Sequence, residues 1–137
     1  MTPYKRKVNY YETDQMSIVH HSNYIRYFEE ARIDFMNQIG CNVMWMERLG
    51  LIYPNIDAYA KYLVTLKFDE EFEVKVKAVD FTGVRMKFEY EIYRTSDNIL
   101  CATGHTSHCF VNTDYKPISI KKSHPEIYTK ILDSTKI

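Results

Sequence analysis

The chain is short of the residues that punctuate or staple small folds. Its 137 residues include 4 Gly, 4 Pro, 3 Cys and 1 Trp, and Lys+Arg 18 balances Asp+Glu 18. Each scarcity excludes something. Gly40, Gly50, Gly83 and Gly104 stand isolated, so there is no glycine-rich loop to cradle a phosphate. Cys41, Cys101 and Cys109 are odd in number and widely spaced, which fits neither a disulfide framework nor a zinc site. A net charge of zero gives no global field for nucleic acid or an anionic membrane. No apolar run approaches the ~20 residues of a membrane span. The start, Met1-Thr-Pro-Tyr-Lys-Arg-Lys7, lacks the apolar core of a secretory signal. The expectation is a cytoplasmic protein with reduced thiols. There are no internal repeats or linkers, so residues 1–137 are expected to form one domain.

Aromatic residues, by contrast, are plentiful: 12 Tyr and 7 Phe, suited to a sheet packed on a helix or to a pocket wall. Residues 4 to 11 read as a first strand, and a loop from Glu12 to His21 follows. A helix is predicted from about Ser22 to Gln38, with Ser22 or Asn23 as its N-cap. At 100° per residue, Tyr24, Phe28, Ala31, Phe35 and Ile39 form one apolar stripe, flanked by Ile25, Tyr27 and Met36. Arg32 falls inside that stripe. It either snorkels or pairs with an acid such as Glu29, or it contacts substrate or a second subunit. Gly40 stops the helix, and a short second helix is expected over Val43 to Leu49, ended by Gly50.

From Ile56 the period changes to two. Ile56 to Phe68, Phe72 to Ala78, Val84 to Ile92 and Ile99 to Asn112 read as four strands joined by short turns. The tail after Lys121 is polar and is expected to be loosely held, with one helical turn around Pro125 to Leu132. The pattern predicts an α+β fold, a curved antiparallel sheet wrapped around one long helix.

The chemistry concentrates at the entry to that helix, in Tyr10-Tyr-Glu-Thr-Asp14-Gln-Met-Ser-Ile-Val-His20-His21-Ser22-Asn23-Tyr24. A carboxylate beside a helix N-terminus can attack a polarised carbonyl or deprotonate a water, while free backbone N–H groups stabilise the growing oxyanion. Asp is equally common as a plain turn residue. His20 and His21 are side-chain acid/base groups or loop filler. Asn23 either orients the attacking group or caps the helix. His105 and His108 sit three apart on a strand and therefore point to opposite faces, so no metal site is expected.

The run Tyr11-Glu-Thr-Asp14-Gln-Met-Ser-Ile-Val-His-His-Ser-Asn23-Tyr24, followed by Tyr27-Phe28-Glu29-x-Ala31-Arg32, resembles the signature of hotdog-fold acyl-CoA thioesterases. These are the hydroxybenzoyl-CoA thioesterase-like proteins, including the YbgC-type enzymes. The resemblance spans nearly the whole chain and implies a hotdog fold with five antiparallel strands. It also implies a homodimer whose sheets join edge to edge, or a homotetramer, with acyl-CoA bound at the dimer interface. By the same resemblance Asp14 is the catalytic carboxylate and the His21 backbone N–H polarises the thioester carbonyl. One departure is Ser17, where many members have Gly, a residue suited to positive φ or close approach.

The expected activity is hydrolysis of acyl-CoA, or of an acyl carrier protein thioester, to free acid and thiol, with no cofactor. Catalytic candidates are Asp14, His21 and Asn23. Candidate substrate-binding residues are Ser22 and Tyr24 at the helix entry, with Lys61 and Arg85 as cations for CoA phosphates; Lys87 and Arg94 are further cations. Charged strand faces also serve simply to keep edges soluble. The alternatives are a non-catalytic acyl-CoA-binding hotdog module and a hotdog hydratase or dehydratase.

Overall fold

The computed structural model describes residues 1–137. In chain order the elements are β1 (Tyr4–Lys7), a 3₁₀ turn (Tyr10–Glu12), α1 (Ser22–Gln38), α2 (Val43–Arg48), β2 (Asn55–Tyr62), β3 (Glu71–Val79), β4 (Arg85–Arg94), β5 (Ile99–Cys109), α3 (Ile120–Ser123) and α4 (Pro125–Ser134). The strands form one sheet in the order β1-β3-β4-β5-β2, and every pairing is antiparallel. The sheet wrapped on one long helix is what the sequence pattern predicts, and its five antiparallel strands are the hotdog arrangement that the resemblance implies.

The alternation of β3 and β4 decides which face is buried. Phe72, Val74 and Ala78 on β3, and Met86, Phe88, Tyr90 and Ile92 on β4, are all buried. Against them lies the apolar stripe of α1: Tyr24, Tyr27, Phe28, Ala31, Phe35 and Met36. Phe28 stacks on Tyr90 with ring centroids 4.4 Å apart and planes 9° apart. The close approach depends on Gly104, because a Cβ there would overlap the Phe28 ring and the Tyr59 carbonyl oxygen. Gly40 and Gly50 end α1 and α2 with φ of 82° and 76°.

Three expectations need correction. The first strand stops at Lys7, and the chain turns through Tyr10–Glu12 instead of continuing. The buried carboxylate of Glu12 drives this, by pairing with Arg6 at 2.5 Å and accepting from the Asn9 N–H at 2.7 Å. Second, β2 ends at Tyr62 and does not run on to Phe68. The N–H groups of Leu63 and Val64 both reach the Cys101 carbonyl, so the strand breaks there, and Asp69 turns the chain at φ 67°. Third, the tail is firmly packed: α4 spans three turns, with Ile127 and Ile131 buried in the same core as Ile120. Its apolar residues sit four apart, and Tyr128 meets Phe81 at 5.3 Å.

Candidate active site

The loop before α1 is pinned at both ends. Thr13 and Val19 form an antiparallel bridge, the His20 N–H donates to the Glu12 carbonyl at 2.8 Å, and the Val19 N–H donates to Leu66 at 2.9 Å. Inside this frame the Asp14 N–H donates to the Ile18 carbonyl at 2.8 Å, and the Ser17 N–H returns to the Asp14 carbonyl at 3.0 Å. The turn requires Ser17 at φ 65°, the left-handed region that glycine enters freely. Serine therefore holds a conformation that glycine adopts more readily.

Only one oxygen of the Asp14 carboxylate is engaged in the turn. Its Oδ1 accepts from the Met16 N–H at 2.8 Å and, more weakly, from the Ile18 N–H at 3.5 Å. Its Oδ2 makes no hydrogen bond within the chain. The turn-forming and reactive readings of this aspartate are thus compatible, one oxygen for each.

The helix entry departs from expectation. The helix is bounded at Ser22 with His21 in the N-cap position, but the His21 backbone is already helical (φ −55°, ψ −29°) and its side chain makes no capping bond. Capping comes instead from His20, whose Nδ1 accepts from the Ser22 N–H at 3.1 Å and lies 2.8 Å from the Ser22 Oγ. The proton of the neutral ring then sits on Nε2. The His20 ring also stacks on His21, with centroids 4.1 Å apart. Asn23, 8% exposed, is no cap either: its Nδ2 donates to the Glu12 carbonyl at 2.8 Å and ties the loop to the helix. The N–H groups of Ser22, Asn23 and Tyr24 all have partners, whereas the exposed His21 N–H has none. That leaves one free donor at the positive end of a 17-residue helix.

Asp14, His21 and Tyr24 line one cleft of about 230 Å³, walled by Met16, Ile18 and the segment Tyr62–Thr65. Tyr24 meets Tyr62 at 4.8 Å, and burial pushes its hydroxyl up to about 12, so it stays a neutral wall. Ser22 and Asn23 open instead onto a neighbouring polar depression with His20 and Arg26. Within one chain Lys61 and Arg85 do not reach the cleft. Both lie on the sheet face away from α1, since Tyr62 and Met86 beside them face it. Arg85 pairs with Cys109, while Tyr62 pairs with Ala102, seven residues away along β5 and roughly 23 Å at strand rise. Arg94 is already engaged by Asp97 at 2.7 Å and Glu70 at 3.6 Å.

A second polar group had only indirect signals in the sequence. Arg32, 6% exposed, places an Nη1 donor 3.4 Å from the Tyr90 hydroxyl. Tyr90 lies 2.6 Å from the Thr106 hydroxyl, which meets His108 Nε2 at 2.8 Å, and His108 Nδ1 lies 3.0 Å from the Tyr53 carbonyl oxygen. Burial, aided by the Arg32 charge, lowers the His108 pKa to about 4. His105 lies on the opposite face, stacked on Tyr59, as the three-residue spacing predicts. The available signals were three polar residues, Arg32, Thr106 and His108, each on a core-facing position.

Residues 8–129 match the profile of the Thioesterase-like superfamily. The chain is 38% identical over 124 residues to a putative esterase of Aquifex aeolicus, covering 90% of this chain and 94% of that one. It is 29% identical to the putative acyl-CoA thioesterase YneP of Bacillus subtilis, covering 90% and 89%. Among solved structures it is similar to the DHNA-CoA thioesterase of Staphylococcus aureus, with a TM-score of 0.89, 29% identity, and coverage of 96% and 91%.

Proposed function

The chain belongs to the thioesterase-like superfamily, and from that premise we propose that it is an acyl-CoA thioesterase working through Asp14 and the His21 backbone. The observation that carries this is the shared cleft. Asp14, a carboxylate with one uncommitted oxygen, and His21, whose backbone N–H is unpaired, line the same largely apolar cleft. The thioester carbonyl oxygen accepts from the His21 N–H, which stabilises the charge that grows there as the tetrahedral species forms. Asp14 Oδ2 either attacks the carbonyl carbon or removes a proton from the attacking water. In both routes the C–S bond breaks and the sulfur leaves as thiolate and takes up a proton; the second oxygen of the acid comes from water directly or, when water opens the anhydride at its aspartyl carbonyl, from Asp14, which water then replenishes. The thiolate is a good leaving group, so His20 remains free to cap the helix.

The site is completed by a second copy of the chain. β2 bonds only to β5, so its other edge is open, and seven of its eight residues are exposed, Ile56, Tyr59 and Tyr62 among them. An open apolar edge of this kind is a template for strand pairing. Antiparallel pairing of β2 with its partner, centred on Ala58 and Tyr59, brings Tyr62 of one protomer beside the other's Asn55. The Asp14 cleft then adjoins the partner's Tyr53–Asn55 segment, and the cations of the partner become available to the CoA phosphates.

Asp14→Asn tests the assignment. The amide preserves the turn, since Asn accepts from the Met16 N–H equally well, but it neither attacks a thioester nor takes a proton. Steady-state turnover on the best acyl-CoA is expected to fall on the order of 10²-fold or more, with acyl-CoA binding and melting temperature retained. Turnover within about threefold of the parent would overturn the role of Asp14. Single turnover in heavy-oxygen water tests for the anhydride: label in Asp14 with unlabelled product acid marks an anhydride opened at its aspartyl carbonyl, and label in the product acid alone excludes that opening.

A further inference from the structure

Between α1, α2 and the segment Leu51–Asn55 lies a second cavity, of about 330 Å³. Its walls are mostly apolar, with Ile33, Val43, Met46 and Leu51 contributing, and its size is at the lower end of small-molecule sites. The one buried charged group on its lining is Arg32.

Arg32 is under-satisfied to a degree unusual for a buried guanidinium. It carries five N–H donors. The chain offers it one hydrogen bond, at 3.4 Å to the Tyr90 hydroxyl, the neighbouring Tyr53 hydroxyl, and one ion pair, at 4.0 Å to Glu29. Its Nε has no partner at all. Tyr90 does not need Arg32, because Thr106 satisfies its hydroxyl at 2.6 Å, and the chain of contacts continues through His108 to the Tyr53 carbonyl. Nor is Arg32 held mainly by aromatic stacking, since the Tyr53 ring centroid stands 5.9 Å away. Arg32 thus lines the cavity with donors unused, although its Nε is itself closed off.

We propose that this cavity holds the acyl group of the substrate, and that Arg32 selects acyl groups bearing a neutral oxygen acceptor, a hydroxyl or oxo group, over plain hydrocarbon ones. A carboxylate fits less well, because the acids Glu29 and Glu47 line the same cavity and Glu29 stands within ion-pair distance of the guanidinium, at 4.0 Å. What Arg32 lacks is an acceptor, not a counter-charge. The inference rests on the thioesterase reading and on the β2-paired dimer, in which the cavity of one protomer adjoins the Asp14 cleft of the other. A site built to hydrogen-bond an oxygen discriminates strongly against the analogue that lacks it, because its donors are then left buried and unpaired.

The test uses matched pairs: hydroxyoctanoyl-CoA against octanoyl-CoA, and hydroxybenzoyl-CoA against benzoyl-CoA. For the full-length enzyme, kcat/KM is expected to favour the oxygenated member of at least one pair by about tenfold or more. In Arg32→Leu that ratio should collapse to within about threefold, and in Arg32→Lys it should lie between, since lysine keeps the charge with fewer donors. Calorimetric binding of the same pairs to Asp14→Asn needs neither turnover nor an Arg32 variant, and should show the same order of preference. If no acyl-CoA is hydrolysed but binding to Asp14→Asn still favours the oxygenated member, the catalytic reading fails and the Arg32 subsite stands. Equal binding and equal kcat/KM within each pair, or a preference unchanged in Arg32→Leu, would overturn the subsite.

Discussion

Ser17 and His108 each sit where their residue type is at a disadvantage, and each yields a measurement. Ser17 holds φ at 65° and its side chain makes no hydrogen bond, so it gains nothing local from being serine. An L-residue in this region costs about 1–2 kcal/mol, while glycine costs roughly 0.5–1 kcal/mol more in unfolded-state freedom. The difference favours glycine. Ser17→Gly should stabilise by about 0.5 kcal/mol, raising the melting temperature by roughly 2 °C in a calorimetric scan. A clear decrease would mean that the serine hydroxyl does something that the geometry does not reveal.

His108 is buried neutral, with its pKa lowered from 6.5 to about 4, first by desolvation and then by the Arg32 charge. Its contribution to stability is fully present above 6.5, where folded and unfolded states bind no proton at this site. As pH falls from 6.5 the unfolded chain takes up a proton that the folded one refuses, so stability drops until about 4. The loss at this one group is about 3 kcal/mol. Urea unfolding at pH 7 and pH 4.5 should show it as a fall in midpoint. In His108→Gln the whole curve should lie lower but fall less steeply over that window. An equally steep fall would assign the pH dependence elsewhere.

At the scale of elements, the seating of α1 on the sheet turns on Gly104. The residue sits between Ala60 and Tyr90 in the pairing register, directly under Phe28. One obstruction to a side chain here is a flexible ring, but the other is the backbone of Tyr59, which cannot swing away. Gly104→Ala is therefore expected to destabilise by about 3 kcal/mol, the upper range for overpacking a tight core. Because the displaced helix also carries His21, hydrolysis should fall with stability. Wild-type stability in this variant would show that α1 can shift without cost. Tyr90, meanwhile, links two roles: its ring stacks on Phe28 and its hydroxyl begins the chain of contacts to His108. Burial raises that hydroxyl's pKa, so it remains a neutral donor and acceptor.

At the scale of the whole molecule, the two sheet edges are unequal. β1 is four residues long and alternates half-buried with exposed positions, with Tyr4 and Arg6 tied to Glu30. β2 is twice as long and lies open. The prediction is a dimer through β2, visible by light scattering at micromolar protein. Ala58→Lys places like charges across the two-fold axis and an edge lysine where pairing should occur. It should shift the population to monomer and reduce hydrolysis together. A wild-type monomer with full activity would rule out the shared site.

The sequence by itself determined the helix Ser22–Gln38, the core faces of β3 and β4, and the stretch that holds Asp14. In these places local periodicity and burial agree: a 3.6-residue stripe and a two-residue alternation each admit one buried face. Where sequence expectation and structure part, a contact distant in the chain had intervened. Val64 shares the parity of β2, yet the Cys101 carbonyl, nearly forty residues on, captures its N–H and ends the strand. The polar tail is seated through Ile127 and Ile131, too few apolar positions to outweigh its composition until the shared core is seen. Asn23 has the identity of an N-cap, but the Glu12 carbonyl claims its amide. The same holds for the site. That Asp14 lies near a helix start is readable from spacing. That its Oδ2 is uncommitted, that His20 caps α1 while the His21 N–H stays free, and that Arg32 faces a cavity with unused donors all depend on which groups satisfy which. Hydrogen bonds between distant segments are allotted only when the chain closes on itself, so only the tertiary structure decides them.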